Sequence, residues 1–143
     1  MFNIEYINDI DARNLNPQSL AFVGDAVFSL YIRQMIVLNN DLKSNAEHLL
    51  STKYVKASGQ SEIISVIENM LSDEEMRVYK RARNYKTNNV AKNAKVSDYK
   101  RATGFEALLG YLYLSGKNDR LNELMQTGYT AITNAIQGDK LCK

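Results

Sequence analysis

Apolar residues recur along this chain at intervals of three and four and nowhere alternate, a pattern that predicts helices and no strands. The clearest start is Asn16-Pro17. Asn caps with its side chain, and a Pro at the first helical position loses only an N–H that would be unpaired anyway. Residues 17–38 then read as one long helix, apolar almost all round. Residues 42–70 place Leu49, Leu50, Tyr54 and Val55, then Ile63, Ile64, Val66 and Ile67, at helical spacing. That predicts two helices with a bend near residues 50–53. Ser72 and Glu75 form a capping-box signature that opens a helix running to about Asn84. Residues 87–96 hold three Asn and two Lys without apolar period and read as a loop. Ser97 is the expected cap of a helix over 98–114, stopped by Gly116. Asn118 is the expected cap of a last helix to about residue 137, with Leu121, Leu124, Met125, Tyr129, Ile132 and Ile136 on one face and Gly138 at its end. The expectation is an all-α fold of six to seven helices around one core, with residues 1–143 as a single domain.

Composition narrows the class. A chain of 143 residues, 45% hydrophobic and 24% charged, is close to the globular average and large enough to fold on its own core. Cys142 and His48 are its only Cys and His, which excludes an internal disulfide and a Cys/His zinc cluster. His48, within AEHLLS, reads as a helix-surface or partly packed residue rather than a base. The opening segment lacks the basic and apolar regions of a signal peptide. No run of about 20 residues is both uncharged and uniformly apolar. A soluble, cytoplasmic protein without a membrane span is expected.

The net charge is only +2, but it is unevenly placed. Arg77, Lys80, Arg81, Arg83, Lys86, Lys92, Lys95, Lys100 and Arg101 face a single acid, Asp98, so residues 77–101 carry +8 and the remainder −6. Such an excess points to a polyanion, with nucleic acid the commonest case; the alternative is a solvated face, although solvated faces usually mix both signs.

Two carboxylates stand where carboxylates are costly. Asp25 in LAFVGDAVFSLYI and Glu106 in ATGFEALLGYLYL lie in the two most apolar predicted helices. An isolated ionised carboxylate there must be paired, hydrogen-bonded or cation-bound. Residues three and four apart share a helical face. Asp25 is thus lined by Gln18, Ala21 and Ser29, and Glu106 by Ala102, Thr103 and Gly110. Small neighbours leave room for a metal, water and a phosphate, or they let two helices approach closely around an internally bonded acid. Oxygen ligands without Cys or His suit a hard cation such as Mg²⁺, which takes one or two carboxylates and keeps waters and substrate phosphates. Carboxylates beside a basic surface suggest metal-dependent phosphodiester hydrolysis.

At these two segments the chain resembles the ribonuclease III family. LAFVGDAVF is similar to its signature helix, E-x-x-E-F-L-G-D-[SA], and GFEALLGYLYL to its second catalytic helix, D-x-x-E-A-L-[LI]-G-A-x-[YF]-L. The likeness runs from about residue 15 to 115 with both motifs in order. Further family acids fall on Gln18, Ala21 and Thr103, none of them acidic, so only Asp25 and Glu106 carry over as catalytic and metal-binding acids. The length leaves no room for the family's double-stranded-RNA-binding domain, and the chain looks like the shortened Mini-ribonuclease III class associated with 23S ribosomal RNA maturation. The resemblance implies a Mg²⁺-dependent homodimer in which each site cuts one strand of an RNA duplex, leaving a 5′-phosphate and a two-nucleotide 3′ overhang. It also suggests a ribosomal protein that presents the precursor RNA.

The basic segment then becomes the expected RNA contact. Arg77, Lys80, Arg81 and Asn84 form one helical stripe; Arg83, Lys86, Lys92, Asn93, Lys95 and Arg101 extend it through the 87–96 loop. Duplex RNA is read mostly through phosphates and 2′-hydroxyls, which suits Lys, Arg and Asn. Tyr85 is expected to pack rather than stack on a base. Two other functions compete: a non-catalytic RNA-binding or ribosome-assembly module on a decayed nuclease fold, motivated by the neutral residues at 18, 21 and 103, and an all-α protein adaptor. The retained acid pair argues against the first and the basic segment against the second.

Overall fold

In the computed structural model, residues 5–86 and 95–141 are described. They form α1 (Asp9–Asn14), α2 (Pro17–Asn39), α3 (Ser44–Val55), α4 (Ala57–Ile67), a 3-10 turn (Glu68–Met70), α5 (Asp73–Arg83), α6 (Val96–Leu114) and α7 (Asn118–Leu141), with no strand among the described residues. The all-α expectation holds. The two strongest local signals behave as read: the Asn16 side chain accepts from the Gln18 N–H ahead of Pro17, and Ser72 and Glu75 complete a reciprocal capping box.

Other boundaries differ for physical reasons. The expected bend at 50–53 lies at Lys56, whose extended backbone (ψ 158°) separates α3 from α4. Ser97 caps nothing: α6 begins at Val96 after Lys95. Asn118 spends its amide on the Tyr6 hydroxyl, 3.1 Å away, and α7 runs through Gly138 to Leu141. Gly116 does end α6: at φ 75° it lets the Lys117 N–H reach back to the Leu112 carbonyl at 2.9 Å. The sequence pattern missed α1, a six-residue polar helix held by tertiary contacts.

α6 is the central helix. Its residues Gly104, Phe105 and Ala107–Leu112 are all buried, and it packs against α2, α4 and α5. The α2–α6 pair is the most extensive contact in the fold. Gly24 and Gly110 lie at the crossing, where a Cβ on Gly110 would stand 2.0 Å from the Leu20 carbonyl oxygen. Only a hydrogen fits between the backbones. Phe28 of α2 meets Phe105 of α6 edge-on, 5.2 Å between centroids. α7 closes the bundle through Leu121, Leu124, Met125 and Ile132. Arg120 anchors it to the Glu75 carboxylate at 2.9 Å, and that pairing holds the Glu75 carboxyl below its usual range despite the opposing push of burial.

Although α2 is apolar almost all round, only one of its faces is covered within the chain: Leu20, Gly24, Val27, Phe28, Ile32 and Ile36 are buried, while Phe22 is 82%, Val37 61% and Leu38 70% exposed. Its length and mean hydropathy of 1.5 would suit a bilayer span. With α6 across one face and Asp25 and Arg33 on the helix, it serves here as a core helix of the bundle.

Candidate active site

The glycine crossing that joins α2 to α6 also joins the two acids. Asp25 follows Gly24, and the Glu106 carbonyl is what Gly24 packs against. Both carboxylates line one cleft of about 280 Å³ between α2, α5 and α6. Asp25 is exposed at its mouth, whereas Glu106 is half-buried deeper in. Residues 81 positions apart are thus held by backbone contact rather than by side-chain rotamers.

Burial pushes the Glu106 carboxyl up to about 9, with the hydrogen bond and negative charge of Asp25 adding to the shift. Two carboxylates sharing a site cannot both ionise cheaply. A cation between them removes the conflict, so the donor set fits a hard divalent ion. The other oxygens on the cleft wall, from Gln18 and Thr103, are neutral. Thr103 donates its hydroxyl proton to the Tyr99 carbonyl at 3.0 Å, leaving its lone pairs free. No cluster of three or more His, Cys, Asp or Glu exists among the described residues. The positions at 18, 21 and 103 line the cleft as the spacing predicts, but they bring no further acid.

The rim is cationic and aromatic. Arg83 and Lys100 border the cleft, as do Phe22, Tyr85 and Tyr99. Arg83 lies over the Tyr79 ring, 5.5 Å from its centroid, and donates from Nε to Asn84 at 3.1 Å. The sequence reading did not place Lys100 or Tyr99 at the site.

The remaining basic residues divide. Lys80, Lys86 and Lys95 are exposed. Arg77 pairs with Glu74 at 3.6 Å. Arg81 donates to the Arg13 and Leu15 carbonyls at 2.7 and 2.8 Å, closing the C-terminal end of α1. Arg101 donates to Ser61 at 2.9 Å and Ser65 at 2.6 Å, tying α6 to α4. Arg81 and Arg101 therefore have structural partners that their position in the stripe did not reveal. Lys92, Asn93 and most of the 87–96 loop lie outside the described residues.

Sequence reasoning also missed Gln60. It is buried within α4, and its amide donates to the Val55 carbonyl at 2.8 Å. A signal was present, since Gln60 shares the apolar face of Ile63, Ile64 and Ile67.

A helical bundle that crosses two helices to set a carboxylate pair under a cationic rim defines a nuclease of the all-α, carboxylate-centred kind. The Ribonuclease III domain matches residues 18–117. The chain is 45% identical over 117 residues to Mini-ribonuclease 3 of Clostridium tetani, covering 81% of this chain and 78% of that one. It is 44% identical over 130 residues to Mini-ribonuclease 3 of a Thermoanaerobacter species, covering 91% and 92%. A crystal structure of a Fusobacterium nucleatum protein superposes with a TM-score of 0.74 at 32% identity, over 93% of this chain and 99% of that one. The chain belongs to the ribonuclease III family, and its class of activity is endoribonucleolytic.

Proposed function

We propose that the protein is a Mg²⁺-dependent endoribonuclease that cuts double-stranded RNA in the cytoplasm, in maturation of 23S ribosomal RNA precursors. The observation that carries the reading is the convergence of Asp25 and Glu106 in one cleft with Arg83 and Lys100 on its rim. Relatives named Mini-ribonuclease 3 support the choice within the family.

Asp25 and Glu106 would hold the ion. When bound, Mg²⁺ lowers the pKa of a water nucleophile and neutralises charge developing on the phosphate. The chain's own part is positioning. The α2–α6 crossing fixes both carboxylates, Arg83 and Lys100 balance phosphate charge, and Lys80, Lys86 and Lys95 extend the cationic surface along the duplex. Hydrolysis in this reading leaves 5′-phosphate ends and a two-nucleotide 3′ overhang.

The exposed apolar residues of α2 support a homodimer. Phe22 and Val37 are large, exposed and on the same helix as Asp25, and residues of this kind in a contiguous surface mark an interaction site. Pairing two copies there would set two sites near one duplex, one per strand. A ribosomal protein that presents the RNA belongs to the same reading.

The deciding experiment is incubation of a long RNA duplex with the protein, in Mg²⁺ or in chelator. Discrete duplex products that appear only with Mg²⁺ are expected. Absence of cleavage with retained RNA binding would instead favour a non-catalytic assembly module.

A further inference from the structure

The groove between α1 and α5 gathers more positive charge than the fold uses. A cavity of about 190 Å³ there is lined by Arg13, Asn14, Glu74, Arg77, Val78 and Arg81, so one carboxylate faces three guanidinium groups. Arg13 donates to the Glu74 carboxylate at 3.0 Å, and Arg77 stands 3.6 Å from it. Either cation alone would neutralise that acid. Arg81 holds the end of α1 from a single nitrogen, Nη1, which donates to the Arg13 and Leu15 carbonyls. Its Nε and Nη2, with three N–H donors between them, have no acceptor among the described residues. Ion pairs as exposed as these are weak, so a better anion can take the arginines over.

The cavity flanks α5 opposite the catalytic cleft. Ala82 and Arg83 line the cleft, whereas Arg77, Val78 and Arg81 line the cavity. The buried side of α5 carries Glu75, Val78, Tyr79 and Ala82. At 3.6 residues per turn, Arg83, Lys80, Arg77 and Arg81 succeed one another around the opposite, solvent side. A polyanion seated in the cleft therefore meets cations all the way across α5 to this cavity. Guanidinium forks match phosphate oxygens in pairs, and the continuity with the cleft rim favours a phosphate of the same strand.

We propose that Arg13, Arg77 and Arg81 form an outlying subsite for a backbone phosphate of the RNA duplex, and that this phosphate displaces the Glu74 carboxylate, which holds the guanidinium groups in place when RNA is absent. This rests on duplex RNA being the substrate, as the proposed function has it. The subsite reads no sequence; it fixes the path of the strand across α5.

The test is filter binding of a long RNA duplex in chelator, over a salt series, with melts on the same samples. Arg77→Gln and Arg13→Gln should each weaken binding and flatten the salt slope by roughly 0.9, so that the fall in affinity between about 50 and about 200 mM salt shrinks about 3.5-fold. The Arg77 side chain is 77% exposed, so its variant should melt as the wild type does and keeps the test decisive if Arg13→Gln loosens α1. Glu74→Gln should tighten binding, because the phosphate no longer competes with a carboxylate. Wild-type affinity and slope in Arg77→Gln and Arg13→Gln, in a protein that binds and cuts the duplex, would overturn the subsite alone. A wild-type protein that does not bind the duplex would overturn the substrate reading and the subsite with it. Unchanged or weaker binding in Glu74→Gln would mark the cluster as a structural ion-pair network and overturn the proposal.

Discussion

Gly24 lies with its Cα against the backbone of Glu106: a Cβ at position 24 would stand 1.6 Å from the Glu106 carbonyl oxygen. The obstacle is main chain and cannot swing aside. Gly24→Ala must therefore part α2 from α6. We expect a loss of at least about 1–3 kcal/mol, as for overpacked cores, read as a lower melting temperature. Cleavage per folded molecule should fall as well, because the same separation moves Asp25 away from Glu106.

Asp25→Asn should abolish cleavage while leaving duplex binding intact. The amide keeps the shape of the side chain and loses the charge that attracts a cation. Loss of one electrostatic contribution of this kind costs about 3–4 kcal/mol of transition-state stabilisation, or roughly 10²–10³ in turnover. Folding of the metal-free protein should not suffer, because Asp25 is exposed at the cleft mouth. Near-normal cleavage would remove Asp25 from the site.

Glu106 predicts a pH signature. Its folded pKa of about 9 stands above the ordinary carboxyl value of 4.5. Between those values the unfolded chain gives up a proton that the folded chain keeps, so the metal-free protein loses stability as pH rises through this window. Mg²⁺ should expel that proton. Calorimetric titration at pH 7 in buffers of different ionisation enthalpy should report about one proton released per ion bound, and Glu106→Gln should release none.

The basic residues should separate into two sets. Lys80→Ala and Lys86→Ala should weaken binding to all duplexes alike and flatten its salt dependence by roughly 0.9 per lost phosphate contact. Arg101→Ala should chiefly lower the melting temperature, since its partners are Ser61 and Ser65. Filter binding over a salt series, with melts on the same samples, distinguishes them.

Phe22→Glu or Val37→Glu should convert a dimer to a monomer in sedimentation, with little change in the monomer's fold, because both side chains point away from the bundle core. An unchanged sedimentation coefficient would place the interface elsewhere.

Local chemistry made part of this legible from sequence. Asn16-Pro17 and Ser72/Glu75 specify their helix starts through bonds within three residues, so they could be read without knowing the fold. Asp25 and Glu106 stood out because charge is improbable in apolar helices. Their meeting was not readable from spacing, since it depends on a crossing at Gly24 and Gly110, although the small residues around both acids hinted at it. The break at Lys56 carries no Gly or Pro to announce it. Arg81 and Arg101 were read as surface charge because their partners, 36 or more positions away, exist only in the folded chain.

α1 illustrates a different kind of dependence. Six residues cannot sustain a helix in water on their own. It is moored by Arg81 across its last carbonyls, by Arg13 to Glu74 at 3.0 Å, and by Lys117 to Asp9 at 2.8 Å, with only Ala12 fully buried. Most of these moorings are charged and solvent-facing, and such contacts weaken as electrolyte is added. Ionic strength therefore acts on the attachment of this helix before it acts on the bundle. Amide protons of α1 should therefore exchange through an opening separate from global unfolding, the N-terminal segment loosening while the Asn16 cap keeps α2, and the carboxylates beyond it, in register.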